Sequence, residues 1–222
     1  MKALILAAGR GERLRPLTDA LPKPLIPVRG KPLIAWHLER LAAAGFRDIV
    51  INVAHLGDLI VEKIGDGRQW GVAITWSREA EPLETAGGIA TARPLLGETP
   101  FLLVNADIHC DYPFAALAGF GLAGRLGHII MVPNPAFRPE GDFSLVDGKV
   151  GNHGAPRYTY SGIGVLDPRM VDGVAAGSKS PLAPLLREAA ADGALGGELY
   201  AGFWNDVGTP ERLAELNRMK GS

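Results

Sequence analysis

The chain has 222 residues, of which 47% are hydrophobic, and a formal net charge of −1 at pH 7. This length supports one substantial hydrophobic core and is short for two, so we expect a single domain over residues 1–222. The near-neutral charge offers no broad basic surface for nucleic acid or a membrane, and the lone Cys110 excludes an intrachain disulfide. No apolar stretch reaches the roughly 18 residues of a membrane-spanning helix. We therefore expect a cytoplasmic protein.

The first predicted strand is the apolar run from Ala3 to Ala8. The chain then turns at Gly9 and Gly11, where missing side chains allow backbone N–H groups to come close to an anion. Cationic side chains follow in the same stretch: Arg10, Arg13, Arg15 and Lys23. Backbone donors and fixed positive charge beyond a strand end are what a polyphosphate requires, so we predict a nucleoside triphosphate site here.

Two common phosphate-binding motifs do not match this stretch. The dinucleotide fingerprint G-x-G-x-x-G would need glycine at the position of Leu14. A P-loop would need G-K-[ST] where Glu12 and Arg13 follow Gly11. Taken alone, the glycines are equally compatible with an ordinary tight turn after a strand.

The stretch from Leu6 to Leu25 resembles a family signature, that of the sugar-phosphate nucleotidyltransferases. Their pattern is L-A-A-G-x-G-x-R-[LM]-x-P-L-T followed by P-K-P-[LM], and both halves occur here in order. The resemblance implies nucleotide contacts from six residues of this stretch: Ala8, Gly9, Gly11, Glu12, Arg13 and Lys23.

Helices and strands alternate over the next part of the chain. The predicted elements are a helix over Lys31–Gly45, a strand over Asp48–Val53, a helix over Leu56–Ile64 and a strand over Val72–Ser77. This alternation predicts an α/β fold with a mostly parallel central sheet. With the family resemblance, it indicates a Rossmann-like three-layer αβα domain, residues 1–110 mainly binding nucleotide and residues 111–222 mainly binding sugar.

The segment from Glu79 to Ile89 passes from a strand end through a loop into a helix that begins near Thr85. Ligands of open α/β sheets bind at this edge, although Thr85 could equally be an ordinary helix N-cap. In the family, an L-G-T-A motif here contacts the base, which implies contacts from Thr85 and Gly88, while Glu84 replaces the family's glycine. Glu79 lies where related uridylyltransferases place a glutamine; its carboxylate would accept the N3–H of uracil, which favours UTP or dTTP.

The apolar run from Phe101 to Asp107 predicts a buried strand. A carboxylate at its end is costly unless a cation or hydrogen bonds compensate it, so Asp107 either caps a turn or binds Mg²⁺. The family pattern [NG]-[AG]-D favours the metal, and we add Asn105 as a sugar contact. His109 is not expected to be a ligand because Mg²⁺ prefers oxygen.

The next elements belong to the second half. They are a helix over Pro113–Phe120, a strand over His128–Pro133, a hairpin over Phe143–Val150 that turns at Asp147–Gly148, and a strand over Tyr158–Leu166. In related enzymes this part covers the sugar, which implies contacts from Gly141 and Gly162, with Asp142 or Asn152 as further candidates. Many relatives have F-x-E-K-P after the hairpin, whereas Ala155–Tyr158 stands here, so the cation for the sugar's own phosphate is left open.

The last predicted elements are a helix over Pro181–Asp192, a strand over Leu199–Trp204 and a helix that starts at Thr209–Pro210. Asn205 and Asp206 between them match the family pattern W-x-D-[VTI]-G-T-P; a plain helix-start loop is the alternative. The resemblance implies that Asp206 is the second carboxylate ligand of Mg²⁺, and we place Asn205 at the sugar.

These assignments predict Mg²⁺-dependent nucleotidyl transfer from UTP, or from dTTP or GTP, to a sugar 1-phosphate. The predicted catalytic residues are Arg13 and Lys23, and the predicted metal ligands are Asp107 and Asp206. A phosphate monoester has a second pKa near 6, so the nucleophile is already largely ionised at neutral pH and no general base is needed.

The motifs LETAGGI, NADIHCD and WNDVGTPERL are most similar to the branch of the family that acts on N-acetylmuramic acid 1-phosphate in cell-wall (peptidoglycan) recycling. Branches that use mannose 1-phosphate with GTP, glucose 1-phosphate with dTTP, or phosphocholine with CTP stay open. A non-catalytic nucleotide-sugar sensor is the alternative from another class. Such a sensor would be expected to lack one of the two metal carboxylates or the lysine, and Asp107, Asp206 and Lys23 are all present. The sequence does not predict the oligomeric state.

Overall fold

The structure, a computed structural model, describes residues 1–219. The strands are β1 (Ala3–Leu6), β2 (Pro27–Val28), β3 (Lys31–Pro32), β4 (Asp48–Val53), β5 (Ala73–Arg78), β6 (Phe101–Asn105), β7 (Ile108–Cys110), β8 (Gly127–Val132), β9 (Phe143–Val146), β10 (Lys149–Gly151), β11 (Arg157–Leu166), β12 (Leu195–Leu199) and β13 (Trp204–Asp206). The α-helices are α1 (Leu17–Ala20), α2 (Leu33–Ala43), α3 (Gly57–Ile64), α4 (Glu84–Leu96), α5 (Leu182–Ala191) and α6 (Pro210–Arg218). Short 3₁₀ turns cover Glu12–Leu14, Lys23–Leu25, Arg68–Trp70, Phe114–Leu117 and Pro168–Val171.

A nine-stranded sheet forms the centre, in the order β5-β4-β1-β6-β11-β8-β12-β10-β9. Strand β1 is parallel to both neighbours, so that Leu4 lies opposite Val50 on one side and Leu103 on the other. A helix precedes each of β4, β5 and β6 and carries the chain back, so these strands all run in the direction of β1. Their carboxyl ends therefore meet at one edge of the sheet.

The sheet is mixed, and the prediction of a mostly parallel sheet is wrong. Strand β11 runs antiparallel to both of its neighbours, β6 and β8. Parallel neighbours need a crossover connection, which is usually a helix, but the chain between β8 and β11 forms the hairpin of β9 and β10 instead. This hairpin turns at Asp147 and Gly148, both with positive φ, as the sequence predicted.

Two other predicted elements differ from the structure. The helix expected over Pro113–Phe120 is only the 3₁₀ turn Phe114–Leu117. Most of the strand expected over Leu199–Trp204 is instead the loop between β12, which ends at Leu199, and β13, which begins at Trp204. Strand β12 begins earlier in the chain than expected. Its Gly196 and Gly197 are residues typical of a loop, but here glycine allows close strand packing, since a Cβ on Gly197 would lie 2.7 Å from Val150 Cγ2.

Helices cover both faces of the sheet and give the predicted three layers. Helices α2 and α3 pack on one face, and α4 and α5 pack on the other. Side chains alternate along β1, so that Ile5 joins the core containing Leu38 of α2, while Leu4 joins the core containing Ile89 of α4 and Leu186 of α5. No helix among residues 1–219 is both long enough and apolar enough to cross a membrane.

A third, smaller core connects the two ends of the chain. It joins Leu14, in the loop after β1, to Val207 and to Leu213 of α6. Leu14 and Val207 are fully buried. Burying a leucine or valine side chain contributes about 1.5–3 kcal/mol, so this core fixes the segment after β13 beside the glycine turn.

Candidate active site

A cavity of about 680 Å³ opens at the carboxyl ends of β1, β4 and β6. Its walls come from the loop after β1, the residues after β6 and the start of α4. Nine of the sequence-predicted site residues line it: Ala8, Gly9, Gly11, Glu12, Arg13, Lys23, Thr85, Asn105 and Asp107. The fold thus brings together residues from three separate segments of the chain at the edge where ligands of open α/β sheets bind.

The glycine turn has a specific steric requirement at Gly11. Its φ of +66° is left-handed, and a Cβ there would lie 2.9 Å from Thr18 Cγ2 and 3.1 Å from Lys23 Cβ. The hydroxyl of Thr18 also donates a hydrogen bond of 2.9 Å to the carbonyl of Gly11. Only glycine allows this backbone to bend and to lie directly against Lys23.

Lys23 lies at the floor of the cavity and is 8% exposed. Its Nζ donates a hydrogen bond of 2.8 Å to Oδ2 of Asp107. A buried ammonium group is unfavourable without a partner, and this ion pair supplies one. The side chain of Asp107 is 39% exposed, so it remains open to the cavity.

The second predicted metal carboxylate, Asp206, comes from the strand beside Asp107. Strand β13 pairs with β7, which places Asp206 opposite Ile108, and the N–H of Val207 donates a hydrogen bond of 2.8 Å to the carbonyl of Asp107. Burial raises the pKa of Asp206; the Arg212 guanidinium opposes this shift, and the nearby negative charge of Asp107 adds to it. Asp107 lines the cavity whereas Asp206 does not, and two neighbouring carboxylates whose charges repel favour a cation between them.

The donor set fits magnesium. Mg²⁺ takes one or two protein carboxylates and completes its shell with water or phosphate oxygens. Asp107 on the cavity wall and Asp206 on the adjacent strand offer two carboxylates. Among the side chains of residues 1–219, no cluster of three or more His, Cys, Asp or Glu side chains could hold a metal ion.

Glu79 and Gly88 lie behind the cavity wall. Glu79 is 8% exposed, and its carboxylate accepts hydrogen bonds from Asn52 Nδ2 at 2.7 Å and from the N–H of Leu83 at 3.1 Å. Burial raises the pKa of Glu79, while these two hydrogen bonds oppose the shift. A Cβ on Gly88 would lie 2.7 Å from Asn52 Nδ2 and 3.0 Å from Glu79 Oε1, so glycine allows α4 to pack here. The base contacts of both residues stay predictions.

Of the predicted sugar contacts, only Asn105 lines the cavity. Gly162 has a φ of +83°, and a Cβ there would lie 2.7 Å from Asn105 Nδ2. Gly141 has a φ of +63°, and a Cβ there would lie 2.9 Å from the backbone N of Tyr158. Asn205 lies in β13, opposite a residue of β7. The two glycines thus allow close packing around β11, and Gly162 makes room for Asn105.

The two further sugar candidates have internal partners. The carboxylate of Asp142 accepts a hydrogen bond of 2.9 Å from the N–H of Tyr160 and pairs with Arg138, also at 2.9 Å. The side-chain amide of Asn152 donates a hydrogen bond of 2.8 Å to the carbonyl of Arg187.

Sequence reasoning missed several residues that line the cavity: Asn52, Glu81, Pro82, Glu84 and Lys179. Asn52 accepts a hydrogen bond of 2.7 Å from the N–H of Ala7 and so holds the start of the glycine turn. A lone polar residue near the end of the apolar strand DIVINV was the available signal. Lys179 comes from a distant segment that packs against the start of α4. There the carbonyl of Ser180 accepts hydrogen bonds from the N–H groups of Ala86 and Gly87 at 2.9 and 3.1 Å. No local pattern indicates that contact.

The cavity lies at the sheet edge where ligands of open α/β folds bind, and the sequence comparison identifies the family. The chain belongs to the nucleotidyl transferase family, whose model matches residues 2–134. A Bacillus anthracis protein described as a glucose-1-phosphate thymidylyltransferase, solved in complex with a sucrose, has a TM-score of 0.85 over 100% of this chain and 97% of its own, at 20% identity. This likeness confirms the α/β nucleotidyltransferase fold.

Among individual proteins, the chain is 51% identical to the N-acetylmuramate alpha-1-phosphate uridylyltransferase of Neisseria meningitidis, covering 100% of this chain and 99% of that protein. It is 36% identical to the mannose-1-phosphate guanyltransferase of Yarrowia lipolytica, covering 95% of this chain but only 61% of that protein. The similarity to the first protein therefore extends over the full length of both chains.

Proposed function

We propose that this protein transfers a uridylyl group from UTP to N-acetylmuramate α-1-phosphate and releases pyrophosphate. The observation that carries the proposal is the meeting of Lys23 and Asp107 below the glycine turn, with Asp206 on the adjacent strand. The choice of UTP and of this sugar rests on the full-length identity of 51% to the Neisseria relative.

The reaction is a single displacement at phosphorus. A phosphate oxygen of the sugar 1-phosphate forms a bond to the α-phosphorus of UTP, and the bond from that phosphorus to the bridging β-oxygen breaks. Pyrophosphate leaves with the electron pair. Because the attacking phosphate is already largely ionised at neutral pH, the enzyme need not remove a proton, and catalysis depends on alignment and charge neutralisation.

The glycine turn and two cations supply this neutralisation. Backbone N–H groups around Gly9 and Gly11 receive the triphosphate, and Arg13 on the cavity wall balances charge on the departing pyrophosphate. Lys23 faces the α-phosphate and the incoming phosphate, where negative charge is densest. When bound, Mg²⁺ would neutralise phosphate oxygens as a Lewis acid, and Asp107 and Asp206 would hold it.

The two halves of the domain have separate tasks in this proposal. Residues 1–110 mainly hold the nucleotide, with Thr85 and the start of α4 at the base. Glu79 acts on that wall through Asn52, which its carboxylate orients by the hydrogen bond of 2.7 Å. Residues 111–222 mainly hold the sugar: Gly162 positions Asn105, and Gly141 and Asn205 shape the surrounding strands.

The test is pyrophosphate release with Mg²⁺, measured for UTP, dTTP, GTP and CTP against a panel of sugar 1-phosphates. The panel includes N-acetylmuramate, N-acetylglucosamine, glucose and mannose α-1-phosphates. We expect the highest kcat/KM for UTP with the N-acetylmuramate compound. A preference for GTP with mannose 1-phosphate would instead favour the activity named for the Yarrowia relative. Absence of pyrophosphate release with every pair would overturn the proposed function and favour the sensor alternative.

A further inference from the structure

Arg212, near the start of α6, contacts the predicted metal carboxylate Asp206 directly. Its Nη1 donates to Oδ1 of Asp206, and the two side chains are 15% and 19% exposed. The N–H of Arg212 bonds to the hydroxyl of Thr209, the N-cap of α6, at 3.4 Å. The opening turn of α6 therefore fixes the arginine beside Asp206.

The other side of the guanidinium lies over the cavity wall. A Cβ on Gly208, which lines the cavity, would lie 2.6 Å from Nη2 and 3.1 Å from Cζ of Arg212. Gly208 has no left-handed φ, so the absence of a side chain here makes space for the guanidinium. One nitrogen thus holds Asp206, while another lies against the wall of the cavity.

An aromatic ring adds a third contact. Cζ of Arg212 lies 4.1 Å from the ring centroid of Phe137, which belongs to the segment between β8 and β9 and is 52% exposed. A guanidinium over an aromatic face is attracted by the ring quadrupole and loses rotational freedom. This contact connects Arg212 to the segment between β8 and β9, within the half of the domain that we assign to the sugar.

Two other arginines of the sugar half, Arg157 and Arg138, already have partners. Arg157, which replaces the F-x-E-K-P motif, donates to the carbonyls of Glu140, Asn152 and Asp142 at 3.1, 2.8 and 2.9 Å. Arg138 pairs with the carboxylate of Asp142.

We propose that Arg212 binds the phosphate of the sugar 1-phosphate, with Nη1 kept on Asp206 and the free edge of the guanidinium turned to the phosphate oxygens. This inference rests on the proposed function and names a substrate-binding residue within it. The attacking phosphate must lie beside the metal carboxylates, and Arg212 is a cation already in contact with one of them. The planar fork of arginine suits a phosphate, and it also offsets the repulsion between the two reacting phosphates.

The test compares wild-type protein with Arg212→Gln and Arg212→Lys, and uses Arg218→Gln, an exposed arginine on the same helix, as the matched control. Steady-state pyrophosphate release is measured with each substrate varied in turn, after thermal unfolding has shown that each variant folds. For Arg212→Gln we expect the KM of the sugar 1-phosphate to rise about 10- to 100-fold, the loss expected for a charge-assisted hydrogen bond, and the KM of UTP to change less than about threefold. The KM of the sugar 1-phosphate for Arg212→Lys should lie between those of wild type and Arg212→Gln, because lysine keeps the charge without the planar fork. Arg212→Lys carries the test if Arg212→Gln does not fold.

A second measurement separates phosphate binding from simple support of Asp206. Mn²⁺ binding without either substrate is followed by electron paramagnetic resonance. Arg212→Gln should bind Mn²⁺ as tightly as wild type or more tightly, because a cation competing for Asp206 is gone. An unchanged KM for the sugar 1-phosphate, or a loss of Mn²⁺ affinity that parallels the loss of activity, would overturn the role of Arg212 while the proposed function stands. A wild-type protein that releases no pyrophosphate would overturn both.

Discussion

At the scale of single residues, we expect the Lys23–Asp107 pair to decide much of the chemistry. The ammonium group lies 2.8 Å from the carboxylate at the floor of the cavity, and Lys23 is 8% exposed. Asp107 keeps a partly exposed side chain, so removing the lysine does not leave a buried unpaired carboxylate. Lys23 can therefore be changed without unfolding the domain.

Lys23→Ala should lower kcat by about a few hundredfold, comparable to removing a donor that stabilises charge in the transition state. Pyrophosphate release measures the effect, and circular dichroism checks that the protein stays folded. Lys31→Ala is the control. Lys31 does not line the cavity and pairs with Glu39 at a distance of 2.6 Å, so its substitution should leave kcat near that of wild type. Near-wild-type turnover in Lys23→Ala would remove Lys23 from the mechanism.

Asp107→Asn should weaken metal binding, because it removes the negative charge while keeping the size and shape of the side chain. We expect low activity at ordinary Mg²⁺ that is partly restored when Mg²⁺ is raised, because one carboxylate ligand of two is lost. A titration of activity against Mg²⁺ concentration for both proteins gives the shift in half-saturation. An identical Mg²⁺ dependence in the two proteins would contradict the metal assignment.

At the scale of elements, the start of α4 shows backbone strain beside the cavity. Glu84 has a φ of +60°, a left-handed conformation that costs a residue other than glycine about 1–2 kcal/mol. The family's motif has glycine at this position. Strain of this kind persists where the surrounding structure imposes it. Here the N–H of Ser180 donates to the carbonyl of Leu83 at 2.9 Å, and the carbonyl of Ser180 accepts from the N–H groups that follow Glu84 in α4.

Glu84→Gly should therefore be more stable than Glu84→Ala by about 1 kcal/mol, because only glycine relieves the strain. Both variants lose the carboxylate and its contact with Lys179, so their difference isolates the backbone. Urea unfolding of the two proteins measures it. Equal free energies of unfolding would show that the left-handed turn costs little here.

The elements also show what sequence can and cannot predict. Gly11 and Lys23 were predicted from a local pattern, and the buried strands around them from continuous apolar runs. The antiparallel direction of β11 was not predicted, because hydrophobic alternation does not reveal which way a strand runs. The meeting of Asp107 with Asp206 came only from the family resemblance, and the docking of Lys179 had no signal, since contacts between distant segments leave no mark in local spacing.

At the scale of the whole molecule, stability should fall with pH below neutrality. His37 of α2 and His109 of β7 are each 2% exposed. Burial, and then the charge of His109, lower the pKa of His37 to about 4. Burial, followed by the charges of Arg40 and Arg29, lowers the pKa of His109 to about 4. In the unfolded chain both return to about 6.5. Between pH 6.5 and 4 the unfolded state binds more protons, so stability is present above this window and is lost as the pH falls through it.

The expected loss between pH 7 and pH 5 is about 2 kcal/mol for each histidine. Urea unfolding across this range measures it. His37→Gln, which cannot titrate, should show a shallower pH dependence than wild type. A free energy of unfolding that stays constant from pH 7 to pH 5 would mean that these side chains are not held neutral.

At the centre of the proposed function, one cavity holds a nucleoside triphosphate over the glycine turn and a divalent cation between Asp107 and Asp206. The most direct test is a crystal structure with Mn²⁺ and a non-hydrolysable UTP analogue, in which the anomalous signal of manganese locates the ion. We predict the Mn²⁺ peak within bonding distance of both carboxylates, with the triphosphate against Gly11 and Lys23. A peak away from Asp107 and Asp206, or a nucleotide bound elsewhere on the protein, would contradict the account.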